Sequence, residues 1–311
     1  MMGEFLTRAS SINRALDQIG DKWCLLIIQE LLWGINSFND MMAAMGVSRG
    51  VLSNRLKWLQ EVDCLRKETA EQGAPRPRYH LTAKSIELYD SAMMAVAWER
   101  KWYQTPELDR VELVHLNCGK VFSPRMHCAE CNATVRLEDV SYATGPGATQ
   151  DVREKKVRRR SSIPIREVPS QRSLYKNLID IAGDRWTANL IALAHFGLTR
   201  FDQFHRELPV ATNILSDRLK LLVESGVLEQ VAYQQRPLRH EYHLTDKGRG
   251  LFPWFLTLLQ WGDKWCDSNG QGKPLLLTHT LCDKPLQADV RCSECGERLY
   301  AHQVRFSLDG K

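Results

Sequence analysis

Residues 51–59 read VLSNRLKWL, and residues 214–222 read ILSDRLKLL. In the first stretch Val51, Leu52, Leu56 and Leu59 recur at helical spacing and form one apolar face. The second stretch repeats the pattern at an offset of 163. The same offset relates GDKW at 20–23 to GDRW at 183–186, YHLT at 79–82 to YHLT at 242–245, and Trp98 and Trp102 to Trp261 and Trp265. Farther along, His115, Cys118, Cys128 and Cys131 recur as His279, Cys282, Cys292 and Cys295, now at an offset of 164. One register held over more than a hundred residues is a tandem duplication.

Each repeat carries the same order of local signals. Ile19–Trp33 is apolar at helical spacing, and a short helix over Phe38–Met45 is broken by Gly46. Ser48 is placed to cap the helix that follows. Two short helices joined by a tight glycine turn read as helix-turn-helix. Cys64–Thr69 and Arg78–Leu81 are short strand-like runs around AEQGAPRP, a hairpin with a basic tip; the second copy is LEQVAYQQRPLRHEYHL. A long helix closes each unit, about 84–103 and 247–266, with Pro253 in a first turn that tolerates it.

Helix, helix-turn-helix, hairpin and long helix is the order of a winged helix. The fold class expected is therefore mainly α with small β-hairpins (α+β): two winged-helix domains, each followed by a small zinc-ribbon-like segment. Each repeat also resembles the HxlR-type (MarR-like) winged-helix transcriptional regulators of bacteria. The motifs that carry the resemblance are IGDKW…LL, SFND, VLSNRLKWL and RYHLT in the first copy, and AGDRW, RFDQF, ILSDRLKLL, EYHLTDKG and QWG in the second. The resemblance implies a sequence-specific DNA-binding regulator, by expectation a repressor, with double-stranded DNA as its partner. Ser85 stands where the second copy has Gly248, and Ala211 where the first has Ser48, so the second recognition helix is expected to take its cap from Thr212.

HLNCGKVFSPRMHCAEC and HTLCDKPLQADVRCSEC share the pattern H-x2-C-x9-C-x2-C. Zn²⁺ takes four N or S ligands in a tetrahedron, and three thiolates with one imidazole close it. Two structural Zn²⁺ per chain are expected, one from His115, Cys118, Cys128 and Cys131, the other from His279, Cys282, Cys292 and Cys295. The competing reading is buried or redox cysteines. Cys24, Cys64 and Cys266 are not repeated and read as core or helix-surface residues.

In a recognition helix the N-terminal residues reach base edges in the major groove. Here those are Ser48, Arg49 and Asn54, with Arg55 following, and in the second copy Thr212, Asn213 and Arg218. An intradomain salt bridge is the competing role for Arg55 and Arg218. Wing residues Arg76, Arg78, Arg236 and Arg239 are candidates for phosphate or minor-groove contact.

The chain has 311 residues and a net charge of +5. The stretch 143–172 alone carries +5, between blocks of −1 and +1. It is rich in Gly, Pro, Ser and charge, reads as an extended linker, and holds KKVRRR at 155–160, as fitting for a solvated tether as for a DNA contact. The organisation expected is 1–108 winged helix, 109–142 zinc segment, 143–172 linker, 173–270 winged helix and 271–311 zinc segment. No apolar run spans a bilayer, MMGEFLTRASS has no signal-peptide core, and nine cysteines suit a reducing cytoplasm. No nucleophile–base pair, phosphate loop or open metal site appears, which points away from an enzyme. The rival function is a protein-interaction or sensor module that dimerises through its winged helices. The two copies are expected to pair as an internal pseudo-dimer or across chains as a homodimer. A small-molecule effector is left open.

Overall fold

The computed structural model describes residues 4–68, 77–104, 108, 110–154, 174–267 and 270–308. Strand β1 (Glu4–Arg8) precedes the helices α1 (Ser11–Ile19), α2 (Lys22–Leu32), α3 (Phe38–Met45) and α4 (Arg49–Glu61). The hairpin strands β2 (Leu65–Glu68) and β3 (Arg78–Leu81) follow, then α5 (Ala83–Ile86) and α6 (Tyr89–Trp102). The cysteine segment holds β4 (Val111–His115), β5 (Lys120–Val121), β6 (Pro124–Cys128), β7 (Val140–Thr144) and β8 (Gln150–Glu154). The second repeat comprises α7 (Lys176–Ala182), α8 (Arg185–His195), α9 (Phe201–Glu207), α10 (Thr212–Glu224), β9 (Leu228–Gln235), β10 (Leu238–Leu244), α11 (Asp246–Arg249) and α12 (Phe252–Trp265). It ends in β11 (Leu275–His279), β12 (Lys284–Pro285), β13 (Ala288–Cys292) and β14 (Val304–Leu308). Among the described residues no helix is long and apolar enough to cross a membrane.

The helix-turn-helix follows the sequence closely. Gly46 closes α3 at φ 59°, and Ser48 caps α4 by accepting the Val51 N–H. Leu52, Leu56 and Leu59 of α4 and Leu215, Leu219 and Leu222 of α10 are buried at matching positions. Three expectations need correction. The apolar run 19–33 is not one helix: a Cβ on Gly20 would stand 2.5 Å from the Leu16 carbonyl oxygen, and Asp21 starts a new helix by accepting the Trp23 N–H. The closing helices are shorter than the pattern suggested, because a four-residue turn of helix precedes each; α6 and α12 have 14 residues, about 21 Å at 1.5 Å per residue. Ala211 remains the N-cap of α10 and supplies no side-chain bond, so Thr212 does not replace it.

Position 85/248 shows how two residue types serve one place. A Cβ on Gly248 would meet the Val227 carbonyl oxygen at 2.3 Å. In the first repeat the Ser85 hydroxyl donates to the carbonyl of Cys64, the counterpart of Val227.

The chain condenses into two compact units, and each takes segments from both repeats. The first comprises the described parts of 1–15, 135–163 and 184–286. In it β1 pairs with β8, and β7 from the first repeat pairs with β11 from the second, Tyr142 opposite Leu277. The Ser11 hydroxyl donates to Asp263, and Arg14 pairs with Asp151. The linker reading fails for 143–154: Gly145 and Gly147 pass so close to 272–273 that a Cβ on either would lie 2.1 Å from a backbone oxygen, and β8 follows. Glycine there serves close approach rather than freedom. KKVRRR lies outside the described residues.

The second unit comprises the described parts of 16–134, 164–183 and 287–311. Helix α7 packs on α6, where buried Glu99 accepts bonds from the Asn177 and Leu178 backbone N–H groups and the Asn177 amide. Strand β14 pairs with β4, and β13 pairs antiparallel with β6. Met126 faces Val290 in that ladder. These two residues are counterparts at the 164 offset, so the pairing is centred on equivalent positions, the register of a twofold.

Gly262 on α12 packs against α1: a Cβ there would stand 2.2 Å from the Ser11 carbonyl oxygen. Gly262→Ala is expected to cost roughly 1–3 kcal/mol by overpacking, despite alanine's higher helix propensity, as a lower urea midpoint.

Candidate metal centre and nucleic-acid interface

In the second unit β4 ends at His115, and the turn after it carries Cys118 and then Gly119 at φ 69°. Strand β13 ends at Cys292, and its turn carries Cys295 and then Gly296 at φ 75°. In each turn the residue after the second ligand takes a positive φ, which folds the two donors to one side. The ligand atoms of His115, Cys118, Cys292 and Cys295 all lie within 4.8 Å of one another. Cys118 Sγ is 4.0 Å from Cys292 Sγ, and His115 Nδ1 is 3.3 Å from Cys295 Sγ. A tetrahedron with Zn–S of about 2.3 Å and Zn–N of about 2.0 Å has edges near ~3.8 Å (S–S) and ~3.5 Å (S–N). The donor set fits that frame.

The imidazole of His115 is fully buried, and its Nε2 makes no hydrogen bond. The Glu297 carboxylate stands 3.9 Å from that nitrogen, held by the Asn117 amide. A carboxylate on the far side of a ligating imidazole is the usual outer partner of a metal-bound histidine. The Lys120 backbone N–H holds the Cys118 thiol below its ordinary pKa, while burial pushes Cys292 up to about 11. The Glu294 N–H also points at Cys292 Sγ, 3.4 Å away.

This grouping corrects the expected pairing within one segment. His115 and Cys118 are joined by the Cys-x2-Cys of the other repeat, and Cys128 and Cys131 are not members of the cluster. Cys128 ends β6 and is buried, and Cys131 is exposed in the turn beyond. In the first unit His279 ends β11, buried, with Nδ1 3.4 Å from Cys282 Sγ. Cys24, Cys64 and Cys266 are buried, and burial raises the Cys64 thiol to about 11.

The recognition helices present the sequence-predicted readers outward. Ser48, Arg49 and Asn54 are exposed, and the Arg49 guanidinium lies over the Phe38 ring at 5.4 Å. Thr212 and Asn213 are exposed at the start of α10. Arg78 is exposed at the start of β3, and Arg236 and Arg239 flank the β9–β10 turn. Arg76 lies outside the described residues.

Arg55 and Arg218 are otherwise engaged. Arg55 Nε and Nη2 reach the two carboxylate oxygens of Asp21 at 2.7 and 3.0 Å. Arg218 makes the equivalent pair with Asp184, where Nε and Nη2 both donate to Oδ2, at 2.9 and 2.6 Å. Each aspartate also caps the helix it precedes, accepting from Trp23 or Trp186. Burial pulls the Arg55 pKa down, but the bond and charge of Asp21 outweigh it and leave the pKa raised. These ion pairs lock the recognition helix to the helix before it and take both arginines out of the candidate contact set. Asp21 and Asp184 belong to the repeated GDKW and GDRW motifs, but their pairing with arginines 34 residues on is set by the fold and not by local spacing.

The HxlR-like helix-turn-helix family matches residues 18–107 and 181–270, more than half of the chain, and the protein belongs to that family of HTH-type transcriptional regulators. Among curated relatives, the uncharacterized HTH-type transcriptional regulator Rv3095 of Mycobacterium tuberculosis is 39% identical over 126 residues, covering 40% of this chain and 79% of its own. The uncharacterized HTH-type regulator YvaP of Bacillus subtilis is 34% identical over 94 residues, 30% of this chain and 87% of its own. Among solved structures, PA1607 is 33% identical, with a TM-score of 0.38 over 47% of this chain and 94% of that one.

Arg55→Ala removes a forked, largely buried ion pair and is expected to cost about 1–3 kcal/mol in urea unfolding. Arg49→Ala, at an exposed position, is expected to stay within about 0.5 kcal/mol of the parent.

Proposed function

We propose that the protein binds double-stranded DNA sequence-specifically through α4 and α10 and represses transcription by occupying polymerase's ground. The observation that carries this reading is the repeated lock of recognition helix to preceding helix. Asp21–Arg55 and Asp184–Arg218 fix the two helices, and Ser48, Arg49 and Asn54 in one and Thr212 and Asn213 in the other remain exposed. Arginine pairs with guanine and asparagine with adenine in the major groove, so the two copies read different half-sites. Arg78, Arg236 and Arg239 supply sequence-independent phosphate contact.

The ladder of β6 and β13 around Met126 and Val290 supports pairing of the two repeats within one chain, and an imperfect inverted repeat as the operator. The donor sets support two structural Zn²⁺ per chain. With Cys292 and Cys295 grouped with His115 and Cys118, the ligand types left by the duplication are Cys128, Cys131, His279 and Cys282. Four protein ligands leave no open position on a metal, so the role is structural rather than catalytic.

Elemental analysis of protein purified without added metal is expected to return about two zinc per chain. The exchange of ligands gives a sharper test. Cys118→Ser and Cys292→Ser should each remove one zinc, and the double variant should still lose only one. Loss of both by the double variant would restore pairing within a segment.

Mobility shifts with genomic fragments should show one preferred site, with log affinity falling by about 0.9 per phosphate contact against log salt. Arg49→Ala should relax base preference at one half-site. Arg239→Ala should weaken all sequences alike and flatten the salt slope. A chain that retards no fragment at low salt does not act through DNA.

A further inference from the structure

The first unit contains a cavity of about 300 Å³. Its walls are the end of α8 (His195, Phe196), β10 (Tyr242), the start of α12 (Phe252), and Tyr142 and Leu277 on the paired strands β7 and β11; Arg249 also lines it. An engineered cavity of about 150 Å³ holds benzene, so this space admits a substituted ring or a fused pair. Binding pockets for small ligands begin at about this volume.

The duplication supplies a control inside the same chain. The counterparts of Tyr142, His195, Phe196, Arg249 and Phe252 are Phe306, Leu32, Trp33, Ile86 and Tyr89. The equivalent ring pairs pack alike in both units, Trp33 on Phe306 at 5.3 Å and Phe196 on Tyr142 at 5.2 Å. The cavity lined by Leu32, Trp33, Tyr89 and Phe306 measures only about 10 Å³. At these positions the first repeat carries the larger ring of Trp33 and the aliphatic Leu32 on the small cavity, with Ile86 exposed outside it. The second leaves the larger cavity open and places an imidazole and a guanidinium on it.

The lining specifies the ligand. Tyr142, Phe196, Tyr242 and Phe252 offer aromatic faces and edges, which suit a flat ring. The Arg249 side chain is exposed, with no ion pair among the described residues, and its fork suits a carboxylate. His195 is buried between Phe252 and Phe255, with Nε2 3.1 Å from the Gly248 carbonyl oxygen. Burial, with the charge of Arg249 adding to it, holds His195 near pKa 4, so it is neutral at pH 7 and Arg249 is the cavity's charge.

We propose that this cavity is a binding site for a small aromatic carboxylate, its ring against the wall that the packed Tyr142–Phe196 pair, Tyr242 and Phe252 form, and its carboxylate on Arg249. That the ligand acts as an effector rests on the DNA-binding reading; that it binds does not, and the test uses the full chain without DNA.

Calorimetric titration with 2-naphthoate is expected to give one saturable site per chain. Uncharged 2-naphthol should bind at least tenfold more weakly. Arg249→Gln should weaken 2-naphthoate at least tenfold while leaving 2-naphthol unchanged. Phe196→Trp, which installs the residue of the closed repeat, should abolish binding of both, with circular dichroism confirming a folded chain. A second filling variant, His195→Leu, carries the closed repeat's residue at the neighbouring position and should reduce binding if Phe196→Trp does not fold. No saturable binding by the parent, or unchanged 2-naphthoate affinity in Arg249→Gln or in the folded filling variant, overturns the proposal.

Discussion

A tetrahedral centre needs four donors, and in this chain they are drawn from two distant stretches although each stretch carries four. In the cluster that the second unit assembles, each repeat gives two: a His-x2-Cys turn at the end of β4 and a Cys-x2-Cys turn at the end of β13. The neighbouring strands obey the same rule. β6 pairs with its own counterpart β13, and β14 completes the sheet of β4 and β5. Short strands of two to five residues have little apolar area to bury alone. Here they are held by pairing with the other copy and by donors that converge on one point.

The winged helices rest on a different constraint. Asp21 has two tasks at once: it caps α2 and accepts the Arg55 fork from α4. Asp184 does the same for α8 and α10. A carboxylate that is both cap and ion-pair partner couples the start of one helix to the rotation of another. With Leu52, Leu56 and Leu59 buried beneath, α4 has one orientation, and its exposed face is fixed as a consequence.

Local patterning made the helix-turn-helix, the hairpins and the ligand types legible, because each is set by residues close in sequence. Gly46 and Ser48 do in the structure what their chemistry implies. The grouping of ligands was not legible, for a physical reason. Both copies carry the same spacing, so His115 meets an equally good Cys-x2-Cys in either, and only the strand pairing chooses. The break at Gly20 is hidden in an apolar period that runs through it, and is decided by a carbonyl 2.5 Å from a Cβ that is not there. Gly145 and Gly147 look like linker composition for the same reason that they pack tightly: both uses need the missing side chain. The cavity beside His195 was invisible because a void is a difference between neighbours, not a property of any one residue.

A protein built from two identical chains writes every substitution twice, once in each copy. In this chain the two versions of the winged helix are encoded separately, and the equivalents have drifted: Leu32 against His195, Trp33 against Phe196, Ile86 against Arg249. The exchanged strands hold the two to a shared framework, since β6 and β13 must continue to match. Away from that shared ladder each copy is free to change alone. Duplication here separates inheritance from symmetry: one half can keep a packed wall while the other opens the same wall to solvent.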